Sequence, residues 1–182
     1  MSIIERVQTG LMSPTNNDCV FLWLYCLDGK PYAKYLPAGA PATMPMVLVM
    51  LRWDGGFGTM GGKVDPGEAL RRALARESGE EADFWLANSY ELEELGTFRD
   101  GDWHVHSYAL EVTYDEMVEA RTKACKVSEK SPECAGWAIA PTQDYIPDED
   151  VARGVTAFLK NNFRSTARLE FDALLELIRS KK

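Results

Sequence analysis

The chain has 182 residues, of which 46% are hydrophobic and 26% charged, and its formal net charge is -8. This length and apolar content suit one domain with a sizeable core, so we expect a single unit over residues 1–182. The excess of acids excludes a general nucleic-acid coat protein, whose surface would attract long polyanions over its whole extent. A substrate with a few phosphates remains compatible, because metal ions can bring positive charge into a locally acidic site.

The four cysteines, at positions 19, 26, 125 and 134, form no CxxC pair, and two histidines are too few for a usual zinc constellation. The first residues lack a long apolar run, and no stretch approaches the ~20 apolar residues that span a bilayer. We therefore expect reduced thiols, no membrane partner and a cytoplasmic location, with a nuclear or nucleolar location also compatible.

In chain order, apolar and β-prone residues 19–27 predict a buried strand, which a loop rich in Pro, Gly and Ala follows at 28–45. Residues 46–53 predict a second strand, closed by the turn Asp54-Gly55-Gly56. The glycine-rich segment 55–62 then leads into a helix predicted at about 68–82. Asp65 and Pro66 suit the N-cap and the first position of this helix.

Two further strands are predicted at 91–98 and 103–112, joined by a turn at 99–102. A capping box formed by Thr113 and Glu116 begins the next helix. A short strand at 137–139, a short helix at about 151–159 and a final helix at about 166–179 complete the pattern. The apolar face of the final helix consists of Leu169, Ala173, Leu174, Leu177 and Ile178.

Glutamates lie on the apolar stripe of the helix predicted at 68–82. At about 100° per residue, Glu77 and Glu81 fall within about 20° of Leu70, with Glu80 at the edge of the same face. Unpaired carboxylates on a packing face are unfavourable, and the last turn of a helix prefers basic residues. Arg76 can balance one acid but points away from the stripe. The pattern indicates either a solvated acidic helix end or a site for a hard divalent cation.

Residues 62–84 resemble the Nudix signature G-x5-E-x7-R-E-U-x-E-E-x-G-U, where U is a bulky aliphatic. The residues at the required spacing are Gly62, Glu68, Arg76, Glu77, Glu80 and Glu81. Ser78 replaces an aliphatic residue and Asp83 replaces a glycine, so helix packing and the C-terminal cap are expected to differ locally. Aspartate tolerates the left-handed conformation better than most residues do, which makes the second departure mild.

The resemblance implies an α/β/α sandwich with a mixed β-sheet, in which a loop-helix-loop binds Mg2+ or Mn2+. The metal ligands that it implies are Glu68, Glu77, Glu80 and Glu81, the last three also being catalytic. Gly62 and Arg76 would support the site, Arg76 through a salt bridge to the acids. The activity that it implies is hydrolysis of a phosphoanhydride bond in a nucleotide.

Three segments are similar to the vertebrate Nudix branch that decaps small nucleolar RNA and hydrolyses inosine diphosphate. They read MVLVMLRWDGGFGTMGGKVD, HSYALEVTYDEM and FLKNNFRSTARLEFDALLEL. This similarity implies a homodimer that acts on a nucleotide or on the capped 5' end of an RNA. Thr59 and Met60 stand where that branch has Phe-Pro, and its histidine near the first strand is absent here, so the preferred base is left open.

Candidate residues also lie outside the signature. Glu133, in a loop after the Thr113 helix, could add an acid to the metal cluster or act as a general base. The candidate substrate contacts are Arg52, Trp53, Phe57, Gly61 and His106. The planar fork of Arg52 suits phosphate, and the two aromatic rings could stack on a base or belong to the core. His106 shares a strand face with His104, which indicates hydrogen-bonded structure, a pair of metal ligands or, for His106, a phosphate or base contact.

The leading hypothesis is a Nudix pyrophosphohydrolase that acts on a nucleoside diphosphate derivative. Its substrate would be a nucleoside di- or triphosphate, a dinucleotide or a capped RNA end. A second hypothesis is a non-catalytic module that binds nucleotides or RNA on the same fold. A third is a purely structural acidic domain, which predicts no stabilisation by divalent ions.

Overall fold

The computed structural model describes residues 4–30, 40–145 and 153–181, and the statements below concern these residues. They form one mixed sheet with helices on both faces. The strands are β1 (Ile4–Val7), β2 (Asp18–Gly29), β3 (Met44–Arg52), β4 (Phe57–Gly58), β5 (Met60–Lys63), β6 (Glu93–Asp100), β7 (Trp103–Glu111) and β8 (Cys134–Pro141). The helices are α1 (Leu70–Ala82), α2 (Tyr114–Ser128), α3 (Val155–Phe158) and α4 (Ala167–Ser180).

Strand β2 is the centre of the sheet, whose order is β1-β6-β7-β2-β3-β4. It runs parallel to β7, whereas the other strand pairs are antiparallel. On its other side, residues 19–22 of β2 pair with β5, and the C-terminal half of β2 pairs with β3. Strand β8 also pairs with β3. The short strand β5 is thus held against the first half of β2.

The side chains of β2 alternate between two cores, as the period of two in a strand requires. Val20 and Leu22 belong to the core that α1 and α2 cover, and Trp23 and Tyr25 belong to the core that α4 covers. This arrangement confirms the expected α/β/α sandwich with a mixed sheet. None of the described helices has the length and hydropathy needed to cross a membrane.

The predicted strands and helices are present with shifted ends, and three strands were missed. The segment 55–62 was expected to lead directly into a helix, but it contains β4 and most of β5. Glycines hide the alternation of side chains by which a strand is recognised. β1 lies at the sheet edge and is only four residues long. Parts of the predicted loop at 28–45 and of the predicted helix at 151–159 lie outside the described residues.

The start of α1 differs from the prediction that Asp65 is its N-cap. The helix begins at Leu70, and its N-cap is Ala69. Asp65 instead belongs to a turn, in which the Glu68 N–H donates to the Asp65 carbonyl (2.9 Å) and the Asp65 N–H donates to Glu68 Oε2 (3.2 Å). This turn delays the helix and brings the Glu68 carboxylate back towards α1.

Two other expected caps are present. The Thr113 side chain accepts from the Glu116 N–H, and the Glu116 carboxylate accepts from the Thr113 N–H, which is a complete capping box. Asp83 ends α1 in the left-handed conformation, with φ 50°. Its N–H donates to the Gly79 carbonyl (3.0 Å). Aspartate therefore fills the glycine position of the signature without disturbing the helix end.

Phe171 holds α4 on the sheet. Its ring is fully buried, and the ring centroids of Trp23, Phe158 and Phe163 lie 5.5–5.7 Å away. We expect Phe171→Ala to lower the free energy of unfolding by about 3–5 kcal/mol, measured by urea denaturation, because it leaves a cavity in the core. Glu176→Ala, on the exposed side of the same helix, should change it by less than about 0.5 kcal/mol. Equal effects of the two changes would contradict the packing of α4.

Candidate active site

The acidic face of α1 lies against the two glycines of β5. A Cβ atom at Gly62 would overlap the carboxylate of Glu77, so only glycine leaves room for that side chain. The N–H of Gly61 donates to Glu81 Oε2 (2.8 Å). Gly61 has φ 145°, and a Cβ there would overlap the carbonyl of Val20. Gly61 was assigned to the substrate from the sequence, but its N–H is occupied by Glu81.

Arg76 gathers the acids of α1, contrary to the expectation that it points away from them. Its guanidinium donates to Glu68 Oε2 (2.9 Å) and to Glu77 Oε1 (2.7 Å), and it lies 3.6 Å from Glu80 Oε2. It also donates to the carbonyl of Lys63 in β5 (3.0 Å). The angular position of Arg76 on the helix predicts only the direction of its Cβ atom. Its long side chain turns back along the helix to reach the acids. The implied salt bridge between Arg76 and the acids is therefore present.

The acids differ in how well they are stabilised. Hydrogen bonds from Arg76 lower the pKa of Glu68. Burial raises the pKa of Glu77, and Arg76 offsets this effect only in part. Burial also raises the pKa of Glu81 to about 7, against the stabilising Gly61 N–H, and the nearby charges of Glu77 and Glu133 add to the rise. Positive charge therefore compensates Glu68, whereas it compensates Glu77 only in part, through the shared Arg76, and Glu81 less than its burial requires.

The chemistry of these side chains fits a hard divalent cation. Among the described residues, no three His, Cys, Asp or Glu side chains already converge on one point as a metal cluster. Glu77 and Glu81 are nevertheless one helical turn apart, with their carboxylates beside backbone that lacks side chains. Oxygen donors short of positive charge are what Mg2+ or Mn2+ would require. Glu80 is more exposed and lies at the edge of this group.

A cavity of about 820 Å³ opens on the α4 side of the sheet. Arg52 and Glu133 line it, and Arg52 Nη1 donates to Glu133 Oε2 (3.0 Å). The backbone N–H of Trp53 donates to the Glu133 carbonyl (3.0 Å), which fixes the loop that carries Glu133. None of the acids of α1 lines the cavity, but Arg52 and Glu133, which do, lie close enough to Glu81 to affect its pKa.

Besides Gly61, three more of the five residues that were assigned to the substrate do not line this cavity. Trp53 is 68% exposed beyond the end of β3. The Phe57 ring packs against Phe158 and Phe163 in the α4 core, with ring centroids 5.2 and 6.3 Å away. His106 is only 2% exposed. The spacing of residues alone did not show where these side chains lie.

His106 belongs to a hydrogen-bonded network inside the sheet. Its Nε2 lies 3.0 Å from Asp18 Oδ1, and its Nδ1 lies 3.2 Å from Thr97 Oγ1. Asp18 Oδ1 also accepts from the Ser13 N–H (2.9 Å), and Thr97 Oγ1 accepts from the Gly10 N–H (2.9 Å). His106 therefore fastens the segment before β2 to the sheet, which agrees with the expected hydrogen-bonded structure, and both of its ring nitrogens have partners within the protein.

Sequence reasoning missed Glu170, a buried acid that lines the cavity. It is 2% exposed and accepts hydrogen bonds from Trp23 Nε1 (3.1 Å), Ser107 Oγ (2.9 Å) and Thr166 Oγ1 (2.6 Å). Burial raises its pKa. The signal was available in the sequence, since Glu170 lies within about 40° of Leu174 on the apolar face of the last helix.

A family model described as Nudt16-like, U8 snoRNA-decapping enzyme-like, matches residues 19–181. The chain therefore belongs to this family of the Nudix superfamily. A curated relative, the U8 snoRNA-decapping enzyme of Homalodisca vitripennis, is 31% identical over 118 residues. The match covers 62% of this chain and 59% of that protein.

Solved structures show the same fold at low sequence identity. A mutT/nudix family protein from Listeria innocua has a TM-score of 0.62 at 14% identity, over 91% of this chain and 95% of that one. A MutT/nudix family protein from Enterococcus faecalis has a TM-score of 0.54 at 14% identity, and the match covers 96% of this chain and 65% of that one. These likenesses support the α/β/α architecture and carry no information on substrate.

Glu81 should make the stability of the metal-free protein depend on pH. Its pKa rises from an ordinary value of 4.5 to about 7 on folding, so the folded state holds the proton more tightly. That contribution is present below about pH 4.5 and is lost as pH rises through 7. In the presence of a metal chelator, the urea concentration at the midpoint of unfolding should fall as pH rises over this range. In Glu81→Gln the midpoint should depend less on pH. Surface variant Glu176→Gln serves as the control, and a wild-type slope retained in Glu81→Gln would disprove the assignment.

Proposed function

We propose that this chain is a metal-dependent pyrophosphohydrolase, which cleaves a phosphoanhydride bond in a nucleoside diphosphate derivative. The observation that carries the proposal is the pair Glu77 and Glu81. They are held against glycine backbone, short of positive charge, next to a cavity of about 820 Å³. That volume lies within the usual range for small-molecule sites. Membership in the decapping-enzyme-like family supports the same reaction class.

The residues of α1 would hold the metal. Glu77 and Glu81 would bind Mg2+ or Mn2+, Glu80 would complete the ligand set from the rim, and Glu68 with Arg76 would keep Glu77 in place. When bound, the metal supplies positive charge for the diphosphate, polarises phosphorus and lowers the pKa of water. Arg76 is already engaged by acids, so it is not free to take this part.

Arg52 and Glu133 face the cavity from the other side and would contact the reacting groups. In the reaction the oxygen of water forms a bond to phosphorus, the bridging P–O bond breaks, and a proton leaves the water. We assign Glu133 as the acceptor of this proton, because it lines the cavity and lies close enough to Glu81 to raise its pKa. The guanidinium of Arg52 is placed to orient Glu133 and to contact a phosphate.

The two departures from the Nudix signature give little support to a non-catalytic binding module. Ser78 is fully buried, and its hydroxyl donates to the Ala75 carbonyl (3.3 Å). Asp83 forms the helix end that glycine would form. Both substitutions are compatible with α1, the helix that carries the acids, one within it and one at its C-cap. The catalytic proposal is therefore preferred to binding alone.

The net charge of the chain, its family and the cavity together limit the class of substrate. A chain with a formal net charge of -8 favours a small nucleotide over a long RNA, whereas the family favours a capped 5' end. Both contain a phosphoanhydride next to a nucleoside, which is the part that the cavity and the acids would hold. The homodimer implied by the sequence resemblance stays a prediction, which analytical ultracentrifugation can check.

Turnover should depend on the acids of α1. A panel of nucleoside di- and triphosphates, dinucleotides and capped RNA is incubated with and without Mg2+ or Mn2+, and products are separated by chromatography. Glu77→Gln and Glu81→Gln should each lower kcat/KM roughly 100-fold or more, because each removes a proposed metal ligand. Exposed Glu176→Gln should match the wild type. Turnover that survives in both α1 variants would refute the proposal, and nucleotide-dependent stabilisation without any product would favour the binding module.

Glu170 is the group best placed to select the base. Its two oxygens accept bonds from three neutral donors, which oppose the effect of burial on its pKa, and in the ionised form a carboxylate has room for about four such bonds. The remaining position can accept an N–H from the cavity. Guanine and hypoxanthine present an N–H at ring position 1, whereas adenine presents an acceptor there. We therefore propose that Glu170 favours 6-oxopurines.

Replacing Glu170 should weaken the preference for 6-oxopurines. Glu170→Gln, whose amide can both donate and accept, should reduce the kcat/KM ratio of inosine or guanosine diphosphate to adenosine diphosphate by about tenfold. The ratio is measured at pH 7.5 with the melting temperature as a check on folding. Glu176→Gln, on the exposed side of the same helix, should leave the ratio unchanged. A ratio that stays the same in a folded Glu170→Gln protein would exclude Glu170 as the selecting group.

A further inference from the structure

Trp103 is an aromatic ring on the wall of the cavity that the proposed reaction does not use. It begins β7, directly after the turn Asp100-Gly101-Asp102, and is 41% exposed. Trp53 and Trp85 are more exposed, but neither lines this cavity. A large, partly exposed aromatic ring inside a cavity is a surface on which a planar group can stack.

Lys63 supplies a positive charge beside this ring. Its Nζ lies 5.5 Å from the centroid of the Trp103 ring. Lys63 directly follows Gly62, the residue that makes room for the carboxylate of Glu77. The Lys63 side chain therefore points to the opposite face of β5 from Glu77, which is the face of Trp103. A phosphate beside Trp103 would meet both an ammonium group and an indole ring.

Trp103 and Glu170 occupy separate ends of the cavity. Glu170 accepts a hydrogen bond from Ser107, which lies four residues after Trp103 on the same face of β7, with Val105 between them in the cavity wall. At about 3.3 Å per residue, the two strand positions are about 13 Å apart. A ring that stacks on Trp103 would have its centroid within about 4.5–7 Å of the indole. It would leave the Glu170 end open.

We propose that Trp103 and Lys63 form a second nucleotide-binding position, which stacks the base on the far side of the phosphoanhydride from Glu170. The ligand class is a substrate with a nucleoside at each end of its phosphate chain, either a dinucleoside polyphosphate or a capped RNA end. Lys63 contacts the phosphate that joins the second nucleoside. This inference rests on the proposed function and adds the identity of the second group.

The test compares binding of one-base and two-base ligands. The ligands are a methylene-bridged nucleoside diphosphate, a methylene-bridged dinucleoside triphosphate and a short capped RNA with the same bridge, each titrated by calorimetry in Mg2+. Trp103→Ala should raise the Kd of the two-base ligands roughly 5- to 150-fold and that of the nucleoside diphosphate less than about twofold. Trp103→Phe keeps a ring and should raise the Kd much less. Trp85→Ala, which removes an exposed indole outside the cavity, is the control.

Each outcome decides the proposal. A selective loss for the dinucleoside triphosphate, the capped RNA or both supports the second position and shows which source it accepts. Equal weakening of one-base and two-base ligands would overturn it, because Trp103 would then serve the first nucleotide. Unchanged binding of the two-base ligands in folded Trp103→Ala would overturn it as well. A wild-type protein that binds none of the three ligands would overturn the proposed function itself.

Discussion

The site depends on a helix whose acidic face packs against the two glycines of strand β5. Glu77 fills the space that a side chain at Gly62 would need, and Glu81 accepts a hydrogen bond from the Gly61 N–H at 2.8 Å. These contacts fix the two carboxylates relative to β5. Because β5 pairs with residues 19–22 of β2, and Cys19 and Phe21 line the cavity, the same contacts fix the acids relative to the cavity.

The charges around α1 distinguish a supporting acid from the acids that would bind metal. Arg76 makes its bidentate contact with Glu68 and lowers the pKa of that carboxyl. Glu77 and Glu81 are partly buried, and burial raises the pKa of each. A cation would therefore be held mainly by Glu77 and Glu81, while Glu68 and one oxygen of Glu77 hold the arginine. The spacing of the signature alone does not separate the supporting glutamate from the proposed metal ligands.

Local patterns predicted much of this fold, and long-range pairing decided the rest. The stripe that places Glu77 and Glu81 together on α1 follows from helical periodicity, and the Thr113 capping box follows from four consecutive residues. Strand β5 has two glycines among its four residues, so it shows no alternation. The direction of His106 depends on Asp18, 88 positions away in sequence, and such partners are not visible in a local pattern.

An acid on the apolar face of a helix occurs twice in this protein, with different solutions. In α4, three neutral donors surround Glu170, which can therefore stay buried without a cation. In α1, Glu81 receives one backbone N–H and faces two other carboxylates. Since desolvation penalises both acids, the number of donors decides which one needs a positive partner. An acid on the apolar face of a helix thus indicates a metal site where it has few hydrogen-bond donors. It indicates a recognition site where the donors nearly fill the acceptor positions of the carboxylate.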